Sequence, residues 1–170
     1  LLNDPPRERA EGSARFVSLQ QVMEQADIIT LHVPLNMKGA DATFHLGNDD
    51  FFSKLKKKPV LMNSCRGEVV ETNAVKSALK NGLLSDFVCD CWENEPAIDL
   101  ELLSLTTIAT PHIAGYSKDG KATGTQMSVK AISDFFNLGL NNWQPKGVEL
   151  PINPTLEIDG AGLTEQEIIS

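Results

Sequence analysis

The stretch that decides the fold is Ile28-Ile29-Thr30-Leu31-His32-Val33-Pro34. Its apolar run predicts a strand, and the strand ends at Pro34, which has no N–H to donate to a neighbouring strand. Just before it, Ser18 and Gln21 form a capping box and apolar residues recur at helical spacing as far as Asp27. This pattern predicts a helix of about two turns. A helix that leads directly into a strand indicates an α/β fold.

The alternation of strands and helices continues along the chain. Further strands are predicted at 59–64, 87–90 and 107–110, and further helices near 49–55, 73–79 and 118–138, with Gly82 as a left-handed cap. Four strands separated by helices or irregular loops predict an α/β fold with a Rossmann-like, doubly wound parallel sheet. Ligands of such sheets lie beyond the carboxyl ends of the strands. The helix at 118–138 has an apolar side and is expected to pack against this body.

Both ends of the chain indicate a longer protein. Leu1-Leu2 is interpreted as the end of an apolar strand, so we expect the glycine-rich phosphate-binding turn of a dinucleotide fold to lie upstream. Residues 1–145 are predicted to form one nucleotide-binding domain. The segment 148–158 is predicted to be extended, and residues 146–170 are expected to begin another region.

The composition argues against several classes of partner. The net charge is -8 and the sequence pI about 4.8, which disfavours binding to nucleic acid or to anionic lipid. No apolar run approaches the roughly 20 residues of a membrane span, so we expect no membrane partner. The chain has three cysteines, an odd number, and Cys89 and Cys91 lie in a strand-like stretch. A reducing cytoplasm therefore fits better than a disulfide framework.

Charged side chains follow the predicted strands. Asp4 comes after Leu1-Leu2, and an acidic residue there would bind adenosine ribose hydroxyls and repel a 2′-phosphate; the alternative is a turn residue. Arg66 offers a planar cation suited to a carboxylate, or is a solvated loop residue. Asp90 ends an apolar strand, where it would bind a ligand or make a structural hydrogen bond. His112 suits proton transfer, with Glu95 orienting it, although a lone strand-end histidine is usually structural.

The remaining histidines and the cysteines are weaker candidates. His32 lies within the first predicted strand and is a candidate for lining a cofactor site, whereas His45 is predicted to be a surface residue. A zinc site at Cys65, Cys89, Cys91 and His112 lacks the usual Cys-x-x-Cys spacing, so we expect no metal.

Three motifs together are highly specific. They are Asn63-Ser64-Cys65-Arg66-Gly67-Glu68-Val69-Val70, Asp90-Cys91-Trp92-Glu93-Asn94-Glu95-Pro96 and Pro111-His112-Ile113-Ala114-Gly115-Tyr116. They resemble the D-isomer-specific 2-hydroxyacid dehydrogenase family. In that family the arginine binds the substrate carboxylate, and the glutamate and histidine form the acid/base pair. The resemblance places these roles on Arg66, Glu95 and His112.

The same resemblance implies a cofactor and partners. It implies NAD, with contacts at Asp4, Val33, Asp90 and Gly115, and a substrate contact at Tyr116. A small phosphorylated 2-hydroxy acid as substrate, a cytoplasmic location and a homodimer of the full-length protein follow from it, with 146–170 beginning the dimerisation region. Two alternatives stay open: another D-2-hydroxy acid, or a non-catalytic NAD-sensing scaffold.

Overall fold

The computed structural model describes residues 1–148 and 161–162. Within these ranges, four strands form one parallel sheet in the order β1-β2-β3-β4. The strands are β1 (Ile28–Leu31), β2 (Val60–Asn63), β3 (Asp86–Cys89) and β4 (Ile108–Ala109). The helices are α1 (Pro5–Glu11), α2 (Leu19–Gln25), α3 (Asp49–Ser53), α4 (Thr72–Lys80), α5 (Leu100–Leu105) and α6 (Lys118–Phe136). The predicted α/β fold with a parallel sheet is confirmed.

Local side-chain chemistry explains where the helices begin and end. The Ser18 hydroxyl accepts a hydrogen bond from the backbone N–H of Gln21, whose side chain accepts one from the backbone of Ser18, so the predicted capping box is present. Asn48 caps α3 from one side only, because its side-chain oxygen accepts from the backbone N–H of Phe51 at 3.0 Å. After α4, Gly82 has φ +66° and lets the N–H of Leu83 reach the carbonyl of Ala78 at 2.8 Å.

The core lies between the sheet and its helices. Helix α4 contacts both α3 and α5. The fully buried side chains include Leu61 and Phe87 from the strands, Phe52 and Val75 from the helices, and Val69 from a 3₁₀ turn. Burying each such side chain contributes roughly 1.5–3 kcal/mol. This core holds the strand ends in place.

Two of the strand predictions differ from the structure by more than one residue at an end. Strand β1 ends at Leu31 and not at Val33, because its neighbour β2 ends at Asn63, the residue paired with Leu31; His32 therefore lies outside the strand. Leu1-Leu2 forms no strand either. The Leu2 carbonyl accepts one hydrogen bond, from the N–H of Val17 at 2.8 Å, and no ladder runs beside it within the described ranges.

The chain divides into two compact units, residues 1–114 and a second unit that begins at Gly115. Helix α6 belongs to the second unit and ends at Phe136, followed by Asn137 as a left-handed C-cap with φ +53°. The packing of 118–138 on the body and the boundary near 145 stay predictions. The predicted extended segment 148–158 lies, apart from Val148, outside the described residues. No helix in the described ranges combines the length and the apolar character needed to cross a bilayer.

Candidate active site

The candidate site lies at one edge of the sheet, because parallel strands bring their carboxyl ends together. His32 follows β1, Arg66 follows β2, and His112 follows β4. Asp90 and Glu95 follow β3. The chain thus delivers a cation, two carboxylates and two imidazoles from four separate strands to that edge.

Arg66 lines an open cleft beyond β1 and β2. The cleft is lined by His32, Val33, Pro34, Leu35, Ser64, Cys65 and Arg66. The Arg66 side chain is exposed, and its Nη1 donates to the Cys65 carbonyl at 2.6 Å. His32 Nε2 lies 2.8 Å from the Thr30 hydroxyl. The cleft therefore offers a positive group to an anionic ligand.

The loop that carries Arg66 is held by Asn63, whose contacts the sequence did not reveal. Asn63 is 2% exposed, and its Nδ2 donates to the carbonyls of Arg66 at 3.0 Å and Cys91 at 3.2 Å. Its Oδ1 accepts from the N–H of Cys65 at 3.3 Å. Cys91 is 28 residues away along the chain, so no local pattern could predict this contact. The only indication that Asn63 belongs to the site was its place in the first motif.

Gly67 brings the same loop against the segment after β3. A Cβ at this position would lie 2.0 Å from the Trp92 carbonyl oxygen and 2.4 Å from the Glu93 nitrogen. Atoms this close overlap, so only glycine fits without a backbone shift. The two loops are therefore in direct backbone contact next to Arg66.

Asp90 holds the turn after β4. Its carboxylate is buried and accepts from the Thr110 hydroxyl at 2.5 Å, the N–H of Ile113 at 2.8 Å and the N–H of Ala114 at 2.9 Å. Burial raises the pKa of Asp90, but these hydrogen bonds and the nearby His112 lower it, and the net pKa is below its usual value. The Asp90 carbonyl also accepts from the N–H of His112 at 2.8 Å. Asp90 is thus an ionised anchor for the His112 turn.

Glu95 and His112 form a hydrogen-bonded pair. Glu95 Oε2 lies 2.7 Å from His112 Nδ1, and Glu95 Oε1 accepts from the N–H of Trp92 at 2.6 Å. A carboxylate can only accept, so Nδ1 carries the proton and Nε2 is the basic nitrogen of the neutral ring. His112 has φ +53°, an uncommon conformation for a residue other than glycine. The predicted meeting of Glu95 and His112 is confirmed in geometry.

A second glutamate–histidine pair corrects the surface assignment of His45. The His45 side chain is 28% exposed, and its Nε2 lies 2.6 Å from Glu93 Oε1. Glu93 Oε2 accepts from the N–H of Thr72 at the start of α4, at 3.0 Å. Burial raises the pKa of Glu93. The hydrogen bonds from Thr72 and His45 lower it by a larger amount, so the net pKa is below its usual value. Nothing local in the sequence predicts a partner 48 residues away.

Asp4 caps a helix and does not project from a strand. Its Oδ1 accepts from the N–H of Arg7 at 3.1 Å, and prolines occupy the first turn of α1. In this structure Asp4 therefore has the structural role that was the alternative to ribose binding. Its role at a cofactor ribose stays a prediction.

Gly115 and Tyr116 belong to the second unit. Gly115 has φ +79°. The Tyr116 side chain is 64% exposed, and Lys121 Nζ lies 4.5 Å from the centre of its ring. The contacts predicted for both residues with cofactor and substrate stay predictions.

The thiols of Cys89 and Cys91 are both buried. Burial raises the pKa of the Cys89 thiol and raises that of Cys91 to about 11, so both are protonated at neutral pH. Among the described residues, no group of three or more histidine, cysteine or acidic side chains could hold a metal ion.

Comparison with known proteins shows which family has this arrangement. Residues 2–114 match the family described as D-isomer specific 2-hydroxyacid dehydrogenase, NAD binding domain. Erythronate-4-phosphate dehydrogenase of Bacteroides thetaiotaomicron is 54% identical over 81% of this chain and 40% of its own length. The enzyme of that name from Porphyromonas gingivalis is 46% identical over 93% of this chain and 43% of its own length.

A solved structure has the same fold. The D-lactate dehydrogenase of Aquifex aeolicus, complexed with NAD and lactic acid, superposes with a TM-score of 0.57 at 30% identity and covers 74% of this chain and 41% of that protein. The chain spans about two fifths of the length of the curated relatives it matches. It belongs to the family of D-isomer specific 2-hydroxyacid dehydrogenases, and residues 2–114 are its NAD-binding domain.

Proposed function

We propose that the complete protein oxidises 4-phospho-D-erythronate, with NAD, to 2-oxo-3-hydroxy-4-phosphobutanoate in the synthesis of pyridoxal 5′-phosphate. The observation that carries the proposal is the 2.7 Å contact between Glu95 and His112 at the sheet edge that also presents Arg66. The name shared by the relatives supports the choice of substrate.

Each side chain of the site has one role in this reaction. The Arg66 guanidinium binds the substrate carboxylate through two parallel N–H donors. His112 Nε2 takes the proton of the 2-hydroxyl group, and Glu95 keeps Nδ1 protonated and orients the ring. Asp90 fixes the turn from which His112 projects. In the reverse direction, the protonated imidazole returns the proton to the 2-oxo oxygen.

The residues present fit NAD. The cleft beyond β1 and β2 includes Val33, and clefts at strand ends are where such sheets bind dinucleotides. The guanidinium of Arg7, next to Asp4, is already bound by Glu11 at 2.7 and 3.0 Å, so it is poorly placed to receive a 2′-phosphate. NAD would be held by Asp4, Val33, Asp90 and Gly115, and when bound it accepts the hydride from the substrate carbon. Asp90 would act mainly through the turn it holds.

The proposal includes the partners, the cellular location and the oligomeric state of the protein. The net charge of -8 disfavours nucleic acid and anionic membranes as partners. A small anionic substrate is instead attracted locally, by the exposed guanidinium of Arg66 in the cleft. Free thiols at Cys65, Cys89 and Cys91 support the cytoplasm as location. The homodimer is carried over from the family resemblance, with residues 146–170 as the beginning of its interface.

The test uses steady-state rates of the complete protein with NAD and 4-phospho-D-erythronate. His112→Ala should lower kcat by roughly 10²–10⁴-fold, the usual loss for a general acid or base, and added imidazole should restore part of it. Glu95→Gln keeps an oxygen that can accept from Nδ1, so it should retain more activity than Glu95→Ala.

His45→Ala is the matched control, because it removes the imidazole of the other glutamate–histidine pair. It should keep kcat close to that of the parent protein at a temperature where both are folded. Equal losses in His112→Ala and His45→Ala, or no loss in His112→Ala, would contradict the assigned roles.

The two alternatives differ from this proposal in measurable ways. A panel containing glycerate, phosphoglycerate and 4-phospho-D-erythronate ranks the substrates by kcat/KM, and a higher value for another acid would replace the proposed one. A non-catalytic NAD-sensing scaffold would bind NAD and turn over none of them.

A further inference from the structure

Asn63 occupies the point where two loops of the site meet. It is the last residue of β2 and is 2% exposed. One amide nitrogen donates both to the Arg66 carbonyl, at 3.0 Å, and to the Cys91 carbonyl, at 3.2 Å. The amide oxygen accepts from the Cys65 N–H and thiol, at 3.3 and 3.1 Å.

We propose that Asn63 is a positioning residue for Arg66, and that it acts by tying the Arg66 loop to the segment that leads into Glu95. This rests on the proposed function, in which Arg66 binds the substrate carboxylate. Asn63 does not touch the substrate. It sets the place of the guanidinium relative to the Glu95–His112 pair.

The chemistry of the side chain explains why an amide is needed. Two carbonyls from different loops must be satisfied by one short side chain, and the NH₂ group of asparagine supplies two donors next to an acceptor. An ionised aspartate of the same shape has acceptors only, so it would repel both carbonyls and leave them unpaired in a buried place.

The packing of the loops transmits any displacement. Gly67 lies directly against the backbone of Trp92 and Glu93. The Arg66 loop and the Trp92 segment are therefore in close contact, and one cannot move toward the other without an overlap of backbone atoms. Trp92 in turn donates its N–H to Glu95 at 2.6 Å. Loss of the Asn63 amide therefore moves Arg66 relative to the acid/base pair.

The experiment is a double-mutant cycle in the complete protein, with kcat/KM for the hydroxy acid as its readout. Asn63→Asp should lower kcat/KM by roughly 10–100-fold, mainly through KM of the hydroxy acid, since an error of about 1 Å in position has effects of this size. In the Arg66→Ala background, the same change should lower kcat/KM by less than about threefold, because residues that act as a unit are not additive.

Val75→Ala is the matched control. Val75 is fully buried in α4 and its side chain has no group that can donate a hydrogen bond to either carbonyl, so its effect should be confined to the melting temperature in both backgrounds. If Asn63→Asp does not fold, Asn63→Ser replaces it in the cycle, because serine offers one donor in place of two.

The outcomes separate this inference from the proposed function. Equal losses from Asn63→Asp with and without Arg66 overturn the inference and leave the role of Arg66 intact. A kcat/KM for Asn63→Asp and Asn63→Ser equal to that of Val75→Ala also overturns it. No loss in Arg66→Ala alone contradicts the proposed function itself.

Discussion

Replacing Gly67 with alanine places a methyl group inside the backbone of the neighbouring loop. The added carbon would lie 2.0 Å from the Trp92 oxygen, 2.1 Å from the Trp92 carbonyl carbon and 2.4 Å from the Glu93 nitrogen. Ordinary contact begins at 3.4 Å, so the nearest distance is 1.4 Å too short. Since all three atoms belong to the backbone, no side-chain rotation can relieve the overlap.

The size of the effect follows from that displacement. Overpacking typically costs about 1–3 kcal/mol, and a rigid backbone neighbour places Gly67→Ala at about 3 kcal/mol. A loss of about 3 kcal/mol lowers the melting temperature by roughly 6–12 °C for a chain of about 150–250 residues, and by less in a longer protein. The loop that moves leads into Glu95, and a shift of about 1 Å in a catalytic group lowers kcat by up to roughly 10²-fold.

The assay compares melting temperature and kcat of the parent protein, Gly67→Ala and Gly124→Ala. Gly124 lies within α6, and among the described residues no atom outside the helix's own backbone comes within 4 Å of an added Cβ. Alanine there should therefore stabilise the helix by about 0.5–1 kcal/mol. If Gly67→Ala melts within a degree or two of the parent and keeps its kcat, the close approach to Trp92 does not position the site.

Two further predictions concern the carboxylates of Asp90, which is buried, and Glu93, which is half-buried. Asp90→Asn turns an NH₂ group toward the N–H of Ala114 and leaves that donor unpaired, so the free energy of unfolding should fall by about 1–3 kcal/mol and kcat should also fall. Denaturant unfolding measures the first effect and steady-state kinetics the second. An unchanged kcat would mean that the turn after β4 is held by other contacts. The pKa of Glu93 is lowered because hydrogen bonds from Thr72 and His45 outweigh the effect of burial. The charged carboxylate therefore stabilises the folded state at any pH above the unfolded pKa of about 4.5. This stabilisation is lost as the pH falls through the lower pKa of the folded state. Glu93→Gln should therefore lower the unfolding free energy at pH 7 and flatten its decline below about pH 4.5, whereas parallel curves for parent and variant would refute the assignment.

Features with local causes were predicted correctly. The capping box of α2 depends on Ser18 and Gln21, three residues apart, and the left-handed Gly82 depends on its own missing side chain. The strands were recognised from apolar runs a few residues long. The three motifs at strand ends also indicated which residues meet, because parallel strands end at a common edge.

Features with distant causes were not predicted. The end of β1 at Leu31 is set by the length of β2. Leu1-Leu2 has no ladder beside it in the part of the chain that the structure describes, although its residues are apolar. His45 was assigned to the surface because its partner Glu93 is remote in the chain. Pairing between strands and burial of polar groups are properties of neighbours in space, which a local pattern does not contain.

The sequence by itself determined the α/β class, the order of most elements and the residue types at the sheet edge, since hydrophobic period and capping are encoded within a few residues. Only the tertiary structure decided how that edge is held. The Asn63 amide donates hydrogen bonds to carbonyls of two loops, and Gly67 contacts the backbone of Trp92. The Asp90 carboxylate accepts hydrogen bonds from the turn that carries His112. The physical reason is that a buried hydrogen-bonding group must find its partner wherever the fold brings one within about 3 Å.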